Sequence, residues 1–272
     1  MDFTEKLTKS IHAHNSLVSV GLDIDKEKMP AFLFESSDHP FVDFTSAIIN
    51  ETKDAACGYK LNLAFYESLG SDGYKVLEET IQQVPTDMVL ILDGKRNDIG
   101  NTAKKYATAL FEKLNADAVT VNPYLGYDGI KPFMSYKDKC SFILCRTSNP
   151  SAADFQDLVS NDQPLYMQVA KKIKSWDSNG NCGAVVGATY PDELRRIRKL
   201  LGDEIPLLIP GIGKQGGDVK KTIIHGTNKN GEMAVINSSR GIIYAGSDED
   251  FAEKARAATE TLRDQINSFR NK

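Results

Sequence analysis

The chain has 272 residues, enough for one (β/α)8 barrel and more than most two-layer single domains need. Hydrophobic residues make up 41% and charged residues 26%, ordinary values for a globular protein, and no apolar run approaches the roughly 20 residues of a membrane span. With 33 basic and 37 acidic residues the net charge is −4, which argues against a nucleic-acid surface.

Residues 3–14 suit a leading helix, and MDFTEKLTKSIHAHN, with early acids and no apolar core, does not read as a signal peptide. Ser16 to Leu22 reads as a strand that ends at Asp23. Phe41, Phe44, Ala47 and Ile48 recur at helical spacing and predict a helix from about Phe41 to Lys53. Cys57 to Leu63 (CGYKLNL) is a second strand with Lys60 and Asn62 on one face, followed by a helix from about Ser71 to Gln83 that stops before Pro85.

Met88 to Leu92 is the third strand, running directly into Asp93-Gly94-Lys95-Arg96-Asn97-Asp98. Alternation of side chains points Asp93 and Lys95 the same way, just past the strand's C-terminal end. Asn101 is placed to cap a helix from Thr102 to Leu114. Ala118 to Val121 is the fourth strand, with Asn122-Pro123-Tyr124 and a helical segment near Gly129 to Met134 behind it.

Ser141 to Cys145 is the fifth strand, and the polar stretch from Arg146 to Gln163 is long for a βα connection, as lids often are. Leu165 to Trp176 is helical and Cys182 to Val186 is the sixth strand. Pro191 opens a helix with Asp192 and Glu193 in its first turn, and Arg195, Arg196, Arg198 and Lys199 toward its end, as the macrodipole favours; Gly202 is its stop. Pro206 to Ile209 and Met233 to Ile236 are the last strands, and the final helix covers about Asp250 to Phe269. Short apolar strands alternating with helices, with no Ser/Gly linker, predict a single-domain α/β protein: a closed parallel (β/α)8 (TIM) barrel over residues 1–272. An open doubly wound sheet fits less well, since no G-x-G-x-x-G follows the first strand.

Cys57, Cys140, Cys145 and Cys182 have no C-x-x-C spacing and read as reduced core residues of a cytoplasmic protein, against the alternatives of a metal site or disulfides. His12, His14, His39 and His225 match no metal-ligand pattern, so no metal is expected.

In such barrels the residues just after each strand face the site. They are Asp23, Lys60, Asp93 with Lys95, Asn122, Thr147 with Ser148, Gly187, Gly211 to Gly217, and Ser238 to Gly241. Taken alone, D-x-K-x-x-D also fits a salt-bridged loop, and a lysine in an apolar strand also fits one snorkelling to a rim. Pro210 to Gly217 (PGIGKQGG) offers backbone N–H groups that can converge on an anion, and Ser238-Ser239-Arg240-Gly241 opens a short helix with a guanidinium beside it. Loops seven and eight are the usual phosphate site of this fold; the alternative is two ordinary glycine turns and a surface arginine. A phosphate held there would point the rest of the substrate toward Lys60, Asp93, Lys95 and Asp98, an alternating array that keeps its lysines protonated.

At these residues the chain resembles the orotidine 5′-phosphate decarboxylases, in particular the longer-chain members with a PGIG-x-QGG loop. The matching stretches are VGLDID (20–25), YKLNLAFYE (59–67), LDGKRNDIGNTAKKYA (92–107), VTVNPYLGYDGIKPF (119–133), RTSNPSA (146–152), VVGATYPDELRRIR (185–198), IPGIGKQGGD (209–218) and NSSRGIIYA (237–245). The resemblance implies cofactor-free decarboxylation of orotidine 5′-monophosphate to uridine 5′-monophosphate, in de novo pyrimidine synthesis. It implies that Lys95 protonates C6, that Asp93 lies beside the departing carboxylate, and that Lys60 bridges the carboxylates and the ribose. Asp98 and Thr102 would reach the neighbouring subunit's site, making the active unit a homodimer. Asp23 and Asn62 would bind the ribose, Thr147 and Ser148 the pyrimidine's amide edge, and Gly211, Gly213, Gln215, Arg240 and Gly241 the phosphate. Lys214 departs from the small residue expected in that loop. The competing readings are a metal-dependent lyase or synthase acting on a keto-sugar phosphate, and a non-catalytic sensor of a phosphorylated ligand.

Overall fold

The computed structural model describes residues 1–212 and 218–270. Eight strands form the barrel: Val18–Gly21 (β1), Gly58–Asn62 (β2), Val89–Arg96 (β3), Ala118–Val121 (β4), Cys140–Arg146 (β5), Cys182–Val186 (β6), Leu207–Pro210 (β7) and Ala234–Ser238 (β8). Each pairs in parallel with its chain neighbour, and β8 returns to β1, with Val18 opposite Ile236. The predicted (β/α)8 barrel is the observed fold. Its strands are apolar on both faces because the interior is filled and helices cover the outside; every residue of β1, β4 and β6 is buried.

The barrel is closed at its N-terminal end by the Phe3–His14 helix. Asp2 and Glu5 form a capping box at its start, and Asn15 ends it in the left-handed region at φ 43°. Leu7 and Ile11 are sealed in the core, and the Phe3 ring meets Phe142 of β5 edge to face at 5.6 Å. Ser10 Oγ donates to the Cys57 carbonyl just before β2, and Lys6 pairs at 2.6 Å with Asp117 just before β4. With that end plugged, the C-terminal ends of the strands are left to build a site.

Three local expectations change. The third strand does not stop at Leu92; it runs through Lys95 to Arg96, so Asp93 and Lys95 belong to it. The helix after it begins at Gly100 with Ile99 as its N-cap, so Asn101 lies inside the first turn and caps nothing. That helix ends at Ala107, and Thr108–Lys113 continue with the wider π spacing up to Asn115 at φ 50°. The predicted lid is also more structured than its polar composition suggests: Pro150–Asp154 is a 3-10 turn, and Val159–Ser160 pairs antiparallel with Gln163–Pro164.

Arg198 has a second job besides the one its helix position suggests. Its side chain is 7% exposed and donates five hydrogen bonds to the carbonyls of Gly202, Ile205, Gly226 and Met233. It stands in the last turn of the Pro191–Leu201 helix, as the macrodipole favours, and also ties that helix to the approaches of β7 and β8. Burial pushes its pKa down to about 10, so the guanidinium stays charged at neutral pH.

Candidate active site

A cavity of about 710 Å³ opens at the C-terminal ends of the barrel strands. That volume falls within the range typical of small-molecule sites. One part of its lining is charged, from β1, β2 and β3, and another comes from the turns after β7 and β8; Leu144, Val185 and Leu208 add apolar wall.

The charged part is built on Asp93. The Asp93 carboxylate is 8% exposed and is held at both oxygens: Lys60 Nζ stands 3.1 Å from Oδ2, while Lys95 Nζ donates to Oδ1 at 2.8 Å. Thr120 Oγ1 also donates to Oδ1, at 2.7 Å. Burial opposes ionisation of Asp93, but the charges of Lys60 and Lys95 and the hydrogen bonds from Lys95 and Thr120 outweigh it, so the carboxyl is held well below its ordinary range. Lys60 is 4% exposed, and Asp23 Oδ1 lies 3.6 Å from its Nζ on the side away from β3. Burial alone would drive this ammonium toward neutrality; the carboxylates of Asp93 and Asp23 reverse that and raise its pKa. The rim-snorkelling alternative for Lys60 is therefore wrong: its ammonium is enclosed and paired on two sides.

Lys95 sits at φ 45°, in the left-handed region that lysine seldom adopts. The cause lies in the pairing of β3 with β4. Leu92 is opposite Val119, yet Arg96 is opposite Val121, so four steps along one strand match two along the other. The surplus residues bulge, and the bulge re-aims Lys95 toward Asp93 and the cavity.

Asp23, Lys60, Asn62, Asp93, Lys95, Thr147, Ser148, Gly211, Arg240 and Gly241 all line the cavity, so these predicted residues are brought together. Asn62 has a second task, accepting from Ala64 N–H as N-cap of the Leu63–Glu67 helix. Gly211 turns the chain after β7 at φ 99°, where a side chain would be strained. Gly187 leaves room after β6, since a Cβ there would come within 2.9 Å of the Ser148 side chain. Asp98 and Thr102 are not among the lining residues; Asp98 Oδ1 accepts from Ile99 N–H and Thr102 is exposed. Gly213, Lys214 and Gln215 lie outside the described residues.

Several lining or supporting residues escaped the sequence reading. Thr120 is one. Gln156, from the long loop after β5, turns back into the cavity, its Oε1 accepting from Thr147 N–H at 2.9 Å and its Nε2 donating to Thr147 Oγ1 at 2.8 Å. Tyr244 accepts from Asp25 N–H at 2.7 Å and donates to the Asp23 carbonyl at 2.8 Å, stapling the turn after β1. These contacts join residues far apart in sequence, and no local pattern signals them. Cys57, Cys140, Cys145 and Cys182 are buried and unpaired, as expected of core residues, and burial pushes Cys57 and Cys145 up to about 12. Among the described residues, no three His, Cys, Asp or Glu side chains are grouped to hold a metal ion, and no helix is long and apolar enough to cross a membrane.

The chain is similar to known proteins over its whole length. Among curated proteins, the orotidine 5′-phosphate decarboxylase of Dehalococcoides mccartyi is 48% identical over 276 residues, covering 100% of both chains. That of Ralstonia nicotianae is 45% identical over 273 residues, again covering 100% of both. Among solved structures, the OMP decarboxylase of Leishmania donovani aligns with a TM-score of 0.86 at 38% identity, over 99% of each chain. The UMP synthase of the same organism aligns at 0.88 and 39% identity over 99% of this chain, which spans 57% of that longer one. The family model described as orotidine 5′-phosphate decarboxylase / HUMPS family matches residues 7–255, and the chain belongs to that family.

Proposed function

We propose that this protein converts orotidine 5′-monophosphate to uridine 5′-monophosphate and carbon dioxide, without a cofactor. The observation that carries the reading is the Asp93 carboxylate, clamped between the Lys60 and Lys95 ammonium groups in a cavity that Arg240 and Gly241 also line.

The nucleotide's phosphate is held by the turns after β7 and β8, with Gly211, Arg240 and Gly241 joined by Gly213 and Gln215. Asp23, Asn62 and Lys60 take the ribose, and Thr147 and Ser148 the amide edge of the pyrimidine. The substrate carboxylate then lies beside Asp93. The C6–carboxylate bond breaks, carbon dioxide leaves, and its bonding pair remains on C6. The Lys95 ammonium, fixed by its contact with Asp93, delivers its proton to that pair. A preorganised positive charge is worth most where the negative charge develops, and Asp93 disfavours the carboxylate ground state without opposing the product. Phosphate binding away from C6 can drive closure of the loop from Asn149 to Gln163. That loop supports a closing role with exposed apolar side chains, Phe155, Leu158 and Val159.

The catalytic unit is a homodimer in which Asp98 and Thr102 complete the partner's site. In support, both residues stand outside their own cavity. The Gly100–Ala107 helix, which holds Thr102, packs against the Tyr127–Met134 helix, and Ile99, Tyr124 and Leu125 next to them are exposed. Placement in the cytoplasm is supported by the four unpaired, buried cysteines.

The test is the loss of orotidine 5′-monophosphate absorbance on adding purified protein in EDTA. Turnover that survives the chelator supports the reading. Turnover that needs added Mg2+, or conversion of a keto-sugar phosphate only, would favour the synthase reading, and no turnover of either would favour a sensor.

A further inference from the structure

The hydroxyl of Thr120 makes two contacts that meet at the reacting end of the cavity. Its Oγ1 donates to Asp93 Oδ1 at 2.7 Å and accepts from the backbone N–H of Lys95 at 2.9 Å. The direction of both bonds is fixed. An amide N–H can only donate, so the single hydroxyl hydrogen is left for the carboxylate. Thr120 itself is fully buried in β4, between Val119 and Val121, the two residues whose register marks the bulge in β3.

That bulge creates a requirement. Where four residues of β3 oppose two of β4, the regular exchange of ladder bonds is interrupted, and the Lys95 amide is met by a side chain of β4. A buried amide left without an acceptor costs free energy, and the Lys95 amide must also be held in a left-handed conformation that lysine disfavours. The Thr120 hydroxyl supplies that acceptor. Through its hydrogen it then also sets the rotation of the Asp93 carboxylate, since Oδ1 is held by Thr120 and Lys95 together while Oδ2 faces Lys60.

We propose that Thr120 is a positioning residue for the decarboxylation, locking the Lys95 backbone and the Asp93 carboxylate into one unit through a single hydroxyl. The inference rests on the decarboxylase reading above. Thr120 belongs to the wall of the cavity, but it acts on the substrate through Asp93 and Lys95. Without the hydroxyl, Asp93 is oriented by the two lysine side chains alone and the Lys95 amide seeks another acceptor. The ammonium then no longer stands where the C6 pair develops. The phosphate and ribose contacts, on other strands, keep their geometry.

The experiment compares the full-length native protein with Thr120→Val, which keeps the shape and loses the hydroxyl, and Thr120→Ser, which keeps the hydroxyl. Steady-state kinetics with orotidine 5′-monophosphate and the dissociation constant of uridine 5′-monophosphate are measured for each. For Thr120→Val, kcat is expected to fall about 10- to 100-fold, the size of one hydrogen bond to an ionised group. KM and product affinity should stay within about threefold, because the loss is confined to the transition state. Thr120→Ser should recover most of kcat. If the valine variant does not fold, Thr120→Ala replaces it and is read against serine in the same way.

Native kcat in the hydroxyl-free variant overturns the inference, as does a serine variant as slow as valine. So does a loss of kcat matched by an equal loss of product affinity, since that is general damage to the site. A native protein that does not turn over orotidine 5′-monophosphate overturns the decarboxylase reading itself and this inference with it. A native protein that does, beside an unimpaired valine variant, overturns this inference alone.

Discussion

Lys60 Nζ lies 3.1 Å from Asp93 Oδ2, and the two side chains expose only 4% and 10% of their surface. An ion pair so enclosed gains little net stability over an apolar pair of the same shape, because both charges have lost their water. Its presence on adjacent strands, at the wall of a large cavity, marks a site built for a charged reaction.

Lys95→Ala removes the proposed proton donor but none of the groups assigned to the phosphate or ribose. Decarboxylation is expected to fall by at least about 10⁴-fold, the scale of losing an essential reacting group, with uridine 5′-monophosphate still bound. Isothermal titration beside a turnover assay checks this. Near-native turnover would contradict the assignment of Lys95.

Arg240→Ala should weaken binding of uridine 5′-monophosphate while leaving uridine binding as it was. One charge-assisted contact to a phosphate is worth on the order of 2 kcal/mol, or roughly 30-fold in affinity. Equal losses for nucleotide and nucleoside would place the phosphate elsewhere.

Asp98→Ala and Lys95→Ala proteins, each impaired alone, should regain part of the activity when mixed and allowed to exchange subunits. In a hybrid dimer one of the two sites carries both native residues. Verified exchange with no recovery would show that Asp98 does not serve a neighbour's site.

The pH dependence of stability follows from the two shifted groups. Asp93 is depressed below its ordinary value of 3.8, so its contribution is present above that value and is lost as pH falls from there toward its folded pKa. Lys60 is raised above 10.5, so its contribution is complete below that value and is lost only as pH rises through the folded pKa. Denaturant midpoints should therefore fall below about pH 4 and again above about pH 10.5. Asp93→Asn should destabilise the protein at pH 7 by on the order of 3 kcal/mol, since Lys60 remains buried with Asp23 as its remaining partner, and should flatten the acid slope. An Asp93→Asn variant with the native acid slope would show that other carboxylates govern it.

Arg198→Leu is expected to destabilise the fold by about 3 kcal/mol, because five hydrogen bonds to buried carbonyls vanish and the apolar replacement satisfies none of them. The kcat of the folded fraction should not change. A denaturation midpoint within error of the native value would show that the guanidinium is not a structural strap.

The strands and most helices were legible because they rest on local periodicity: SLVSVGL, CGAVV and PLLI can be buried only as strands between helices. The charged strand ends were legible for a related reason. Lys60 in an apolar strand and Asp93 directly after an apolar run are out of place unless they meet, and the closed order of strands makes them meet. The helix start near Asn101 was misplaced because a residue suited to capping also tolerates the first turn, and the chain enters the helix through Ile99 and Gly100 at φ 55°. In sequence Arg198 is one of four cations toward a helix end; only packing shows that its own side chain points inward.

By itself, then, the sequence determined the barrel, the end of it that carries the chemistry, and the charged residues gathered there. Each of these follows from apolar spacing and from charges set within or directly after apolar runs. Only the tertiary structure decided that Lys95 is held at φ 45°, that Asp93 is gripped by Thr120 as well as by two lysines, and that Gln156 folds back onto Thr147. Those arrangements arise from the register between neighbouring strands and from contacts across long stretches of chain. A threonine inside VTV reads from its sequence as an ordinary strand residue, and the mismatch of β3 against β4 is what gives its hydroxyl a task.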